Sequence, residues 1–226
     1  MKKTSLLIIA LIGIFFIGEA NAQRKKKDEL KTEIDSVSYA LGVNMGSSIK
    51  NLNIDNINVE QINKGIKDII TTDEVKISAD DAHLLIQNFL INLQEKQKME
   101  NIEKGNAFLE ENKTKEGVVT LPSGLQYLVT EEGAGQSPLA TDRVKVHYEG
   151  KLIDGTIFDS SIERGEPIVF GVNQVIMGWQ EALQLMKPGS KWTLFIPANL
   201  GYGERVAGSI PANSLLIFEV ELLGIE

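Results

Sequence analysis

No cysteine occurs anywhere in the 226 residues. Disulfides, thiolate nucleophiles and cysteine-ligated metals are thereby excluded. Histidine is almost as scarce, with only His83 and His147. Neither has a second histidine at metal-ligand spacing, so each is expected to be structural or at the surface, and no metal or other cofactor is expected. No G-x-S-x-G nucleophile elbow and no phosphate-binding loop is present, and Gly201-Tyr202-Gly203 begins a dinucleotide fingerprint without completing it. Triad hydrolysis, metal catalysis and nucleotide chemistry are all disfavoured. Positive charge is in deficit as well: the formal net charge is −8. A nucleic-acid partner needs a basic footprint, so none is expected. Proline is missing from the whole first half, where the first to appear is Pro122.

Long apolar runs are also lacking, with one exception near the N-terminus. Lys2 and Lys3 precede an apolar run from Leu6 to Ile17, and Ala20-Asn21-Ala22 follows. A basic head, a short apolar stretch and an A-x-A site are the layout of a secretory signal peptide, read here as residues 1–22. The run is shorter than the ~20 residues of a membrane span, and an uncleaved anchor is the alternative. The location expected is the periplasm, with outer-membrane association or the cell surface left open, and no membrane span remains after cleavage.

Residues 23–118 read as helical. Val37, Ala40, Leu41, Met45 and Ile49 recur at the spacing of one helix face, with Gly42 and Gly46 among them. Asn58 can cap a second helix with Gln61 at the box position, and Ser78 a third with Asp81. The third carries Ala82, Leu85, Ile86, Phe89 and Leu93 on one side, then turns polar. Helical from Ala79 to Lys113, it would run roughly 50 Å, as a solvent-bridging connector does. Such narrow stripes are a poor core for one chain. The expectation is a homodimer through these helices; the alternative is docking onto the C-terminal half.

From residue 119 to 226 the pattern changes. Val144-Lys145-Val146-His147-Tyr148 alternates at period two, and Trp192–Ile196 and Leu215–Leu223 read as further strands. Between them Gly178–Met186 reads as one short helix stopped by Pro188-Gly189. The fold class is α+β: an antiparallel sheet wrapped over one short helix, preceded by an all-helical arm.

Several motifs follow in a fixed order: Val146-His-Tyr-Glu-Gly150, Gly155-Thr-Ile-Phe-Asp-Ser160, Val175-Ile-Met-Gly-Trp179, Lys187-Pro-Gly189, Gly201-Tyr-Gly203, Ile210-Pro211 and Leu216-Ile-Phe-Glu-Val-Glu-Leu222. The series resembles the FKBP family of peptidyl-prolyl cis/trans isomerases. Asp35-Ser-Val-Ser-Tyr-Ala-Leu-Gly42 followed by Met45-Gly46 resembles the macrophage infectivity potentiator subgroup, whose members are V-shaped homodimers, some with chaperone activity. The resemblance implies proline-containing unfolded or exported polypeptides as substrates. It implies a floor at Trp179, walls at Tyr148, Phe158, Phe170, Val175 and Phe218, and a place at the pocket for Ile210. It assigns substrate hydrogen bonds to the Ile176 N–H and the Tyr202 phenol. It sets Asp159 against the twisted amide, held by Arg164. It also places Ile168 at the wall, where the family often has an aromatic residue.

The chemistry suits this inventory. An X–Pro bond turns slowly, over roughly tens to hundreds of seconds, because amide resonance stiffens it. Rotation needs no nucleophile and no cofactor. A dry aromatic pocket removes water's support for the planar form, and placed polar groups then favour the twisted one. A non-catalytic peptide-binding module or holdase, using the same pocket only to grip clients, is the alternative.

Overall fold

The computed structural model describes residues 30–52, 54–72 and 74–226. The expected signal peptide, residues 1–22, lies outside them. Contacts divide the chain into two compact units between Val75 and Lys76.

The first unit holds α1 (Glu33–Lys50) and α2 (Val59–Lys67). Thr32 caps α1 in a closed capping box with Asp35, which satisfies two orphan N–H groups reciprocally. Asn58 caps α2 through Gln61 N–H, as its spacing implied. The helix then runs into a π turn at Asp68–Thr72. Neither α1 nor α2 contains a buried residue. Leu41 is 59 % exposed, and Met45, Ile49, Ile62 and Ile66 line an open cleft of ≈ 300 Å³. A side-chain carbon added at Gly42 or Gly46 would meet nothing within 4 Å.

The second unit begins with α3 (Ala79–Asn112), 34 residues capped by Ser78 through Asp81 N–H. Seven antiparallel strands follow: β1 (Val118–Thr120), β2 (Gln126–Glu131), β3 (Arg143–Lys151), β4 (Ile157–Ser160), β5 (Ile168–Gly171), β6 (Lys191–Ile196) and β7 (Leu216–Ile225). Their order is β1-β2-β6-β7-β3-β4, with β5 also pairing to β3. The single short helix α4 (Met177–Leu183) covers one face. Alternation along β3 sends Val144, Val146 and Tyr148 into the core beneath it, beside Leu194, Ile196, Leu216, Phe218 and Val220. The α+β architecture inferred from sequence is therefore the one observed. No helix among the described residues is long and apolar enough to cross a membrane.

One expectation fails. The polar second half of α3 was read as a solvent-bridging connector, yet its last turns pack on the sheet. Phe108 and Leu109 join Phe195, Leu215 and Ile217 in a second apolar cluster, with the Phe108 and Phe195 rings 5.7 Å apart. Buried Asn112 donates to Gln126 Oε1 at 2.9 Å, and Gln126 Nε2 donates back to the Leu109 carbonyl at 2.9 Å. Asn101 Nδ2 reaches the Ala212 carbonyl at 2.9 Å. Gly105 is buried, and a side-chain carbon there would lie 3.3 Å from Leu215 Cβ, so the helix comes close at this point. Amides whose hydrogen bonds are met can be buried at little cost, so a polar helix face docks here.

A fragment starting at residue 119 keeps the sheet but uncovers Phe195, Leu215 and Ile217 and leaves Gln126 unpaired. It should be about 2–4 kcal/mol less stable than residues 76–226, from lost burial and the lost hydrogen bonds of Gln126. Urea unfolding followed by tryptophan fluorescence reads this directly; equal midpoints would show that α3 contributes nothing to the stability of the sheet.

Candidate active site

The cleft depends on how near α4 can come to the sheet. A side-chain carbon on Gly178 would lie 2.6 Å from Ile196 Cγ2, so only glycine allows the approach. The next residue, Trp179, is thereby set at the base of the cleft, nearly fully buried. Tyr148, Phe170 and Phe218 present their rings edge-on to it, with centroids 5.4, 5.4 and 5.2 Å away. Phe158 meets Phe218 at 5.4 Å in the same manner. Edge-to-face packing is the favoured geometry for such rings. Gly150 makes it possible, since a side-chain carbon there would lie 2.5 Å from Phe158 and 2.6 Å from Phe218. With Val175, Ile176 and Ile210 these side chains bound a cleft of ≈ 730 Å³.

One polar cluster enters this apolar wall. Asp159 accepts from the Tyr148 hydroxyl and from Arg164 Nη1, while Arg164 Nη2 donates to the Tyr148 oxygen at 3.0 Å. The guanidinium also stands 5.7 Å from the Tyr148 ring centre. Burial opposes charge on Asp159, but the Tyr148 hydroxyl and Arg164 together outweigh it and hold the carboxyl below its ordinary range. Burial, helped by the hydrogen bond to Asp159, pushes the Tyr148 phenol up, so it remains a donor. Beneath the cluster, fully buried Ser161 accepts the Tyr148 N–H at 2.8 Å and lies 3.1 Å from His147 Nδ1. His147 is thus a structural side chain, which ties β3 to the turn after β4.

Besides the buried Trp179 indole N–H, which has no partner among the described residues, two further donors stand unengaged at the cleft. The Ile176 N–H, at the N-cap of α4, and the Tyr202 hydroxyl both face the cleft, and neither has a partner among the described residues. Donors in a cleft without acceptors of their own are poised for a ligand's carbonyl groups.

The structure brings together Asp159, Tyr202, Ile176, Tyr148, Phe158, Phe170, Val175, Trp179, Ile210 and Phe218. Arg164 lies behind Asp159 rather than in the lining. Ile168 does not line the cleft. It shares a strand face with Phe170 and pairs with Val146, where it remains 37 % exposed. Sequence reasoning did not single out Gln174, Met177 or Gln180; their proximity to Trp179 in the chain was the available signal.

Residues 134–223 match the family profile described as FKBP-type peptidyl-prolyl cis-trans isomerase, and residues 34–129 match the domain amino terminal to that isomerase. An "Outer membrane protein MIP" of Legionella longbeachae is 42% identical over 232 residues, covering 99% of this chain and 98% of that one. The chain belongs to the FKBP-type peptidyl-prolyl cis-trans isomerases. Within the family, the "FKBP-type 22 kDa peptidyl-prolyl cis-trans isomerase" of Escherichia coli is 46% identical, over 83% of this chain and 93% of its own. The crystal structure of FkpA from Escherichia coli superposes with a TM-score of 0.70 at 37% identity, covering 88% of this chain and 99% of that one. This FKBP is a peptidyl-prolyl isomerase acting on proline-containing polypeptides.

The lowered Asp159 pKa has a consequence for pH. A carboxyl lowered by folding contributes stability above its unfolded value, about 3.9, and loses it only as pH falls through the lower folded value. Turnover of an uncharged X–Pro peptide by this FKBP should therefore stay flat from about pH 8 to about pH 5. A decline centred near pH 6, followed by exchange NMR, would place a histidine in the mechanism instead.

Proposed function

We propose that this FKBP turns X–Pro bonds without acid–base chemistry, through the residues gathered in the cleft. The proline ring rests on Trp179, among Tyr148, Phe158, Phe170, Val175 and Phe218. The Ile176 N–H and the Tyr202 hydroxyl hold substrate carbonyl groups on either side of the bond. Asp159, kept ionised and oriented by Arg164 and Tyr148, faces the amide as it twists. The apolar lining withholds the water that supports the planar amide, so the twisted form gains relative to it. The observation that supports this reading is the unengaged Ile176 N–H and Tyr202 hydroxyl beside a cluster of aromatic rings at the base of the cleft.

The same reading extends to assembly and location. A second copy of the chain packs on α1 and α2, whose apolar side chains lie uncovered in the first unit. Two-fold pairing is the commonest way to cover such a surface. The dimer offers two clefts to one unfolded client, which raises effective concentration and supports chaperone action. Export is supported by the Lys2-Lys3 head, the Leu6–Ile17 run and Ala20-Asn21-Ala22.

Tyr202→Phe removes one hydrogen bond worth about 0.5–1.5 kcal/mol, so kcat/KM should drop several-fold with the melting temperature little changed. Exchange NMR on a proline peptide measures it. An unaltered rate would take Tyr202 out of the site, and a wild-type rate near background would favour a holdase that only grips its clients.

For assembly, light scattering of the exported chain should give twice the monomer mass, and charged substitutions at Leu41 and Met45 together should halve it. A monomeric wild type would leave the exposed faces of α1 and α2 to some other partner.

A further inference from the structure

Among the described residues, two charged side chains line the cleft, Asp159 and Arg205. Asp159 is already paired with Arg164, and the two formal charges cancel. Arg205 is different. Among the described residues no carboxylate lies within ion-pairing distance of its guanidinium. Its neighbour Glu204 does not line the cleft and lies on the α3 side, close enough to act on Lys98. Two adjacent residues of opposite charge are thus sorted, the cation to the cleft and the anion away from it.

The backbone holds this arrangement. Gly203 adopts a positive φ of 59° and accepts the Asn213 N–H at 2.7 Å, which closes the base of the loop. Ala207 and Ile210 exchange hydrogen bonds of 3.0 Å in both directions, which closes its tip. Arg205 sits between the two clamps, three positions after Tyr202. A loop closed at both ends loses little entropy when a ligand engages it. Guanidinium presents a planar fork suited to carboxylate, and an unpaired one at a cleft rim has that capacity unspent.

We propose that Arg205 is a specificity-determining residue, and that it favours substrates carrying Asp or Glu next to the proline. This rests on the cleft being the isomerase site. The proline ring, the rotating amide and the backbone carbonyls carry no net charge. Only a side chain flanking the proline can therefore answer the cation at the rim.

The test is exchange NMR on two peptide series, with Glu, Gln or Lys immediately before the proline in one and immediately after it in the other. Wild type should process the Glu peptide of one series about 2- to 5-fold faster in kcat/KM than its Gln counterpart, the range of an exposed ion pair, with Lys slowest. Raising salt to about 1 M should collapse the ratio, because the screening length there is about 3 Å. Arg205→Gln should bring the three peptides of that series together, and Arg205→Glu should invert their order. Glu204→Gln should leave the order intact. An active wild type that treats Glu, Gln and Lys alike in both series overturns the inference. So does an order that survives Arg205→Glu. A wild type inactive on every peptide instead overturns the reading of the cleft on which the inference rests.

Discussion

Everything in the catalytic unit depends on the close contact between α4 and β6 at Gly178. Hydrophobic burial alone would bring a helix to a sheet at about 10 Å. Removing one side chain at the crossing lets backbone approach side chain, and the indole of Trp179 is carried down among three other rings. From that one contact follow the depth of the cleft, its edge-to-face walls and the exposure of the Ile176 N–H at the helix start. The polar cluster of Asp159, Arg164 and Tyr148 is then a local exception, a half-exposed ion pair at the edge of an aromatic wall, ordered by its own hydrogen bonds.

Sequence carried much of this, for identifiable reasons. Strand β3 alternates plainly because one face is buried and the other wet. The caps at Asn58 and Ser78 were readable because they are local: the hydrogen bond is made three residues away. The cleft residues were readable only as a series, since each aromatic alone would pass for core. Ile168 shows where that reasoning thins. Motif order places a residue on a strand and a face, but reach into a cleft depends on the side chain's size and on the rings beside it. The short strands β1, β4 and β5 left little periodic signal, being three or four residues each.

The end of α3 was illegible for a different reason. Binary patterning counts Asn and Gln as solvent-facing, yet Asn112 and Gln126 are buried because Asn112 donates to Gln126 and Gln126 donates on to the Leu109 carbonyl. Their pairing spans fourteen positions. No local window sees it. The same holds for Asn101, whose partner carbonyl lies in the loop that closes the cleft.

Gly150 has an implication for how the lineage can vary. Its missing side chain is the space that Phe158 and Phe218 occupy, so the three positions share one volume. An alanine at 150 is tolerable only if a ring has already shrunk, while a shrunken ring alone leaves a void in the wall. Each single step is harmful and the pair is acceptable, which is sign epistasis arising from packing. The wall of the cleft is for that reason expected to change by coordinated replacement or not at all, even where the loops around it drift freely.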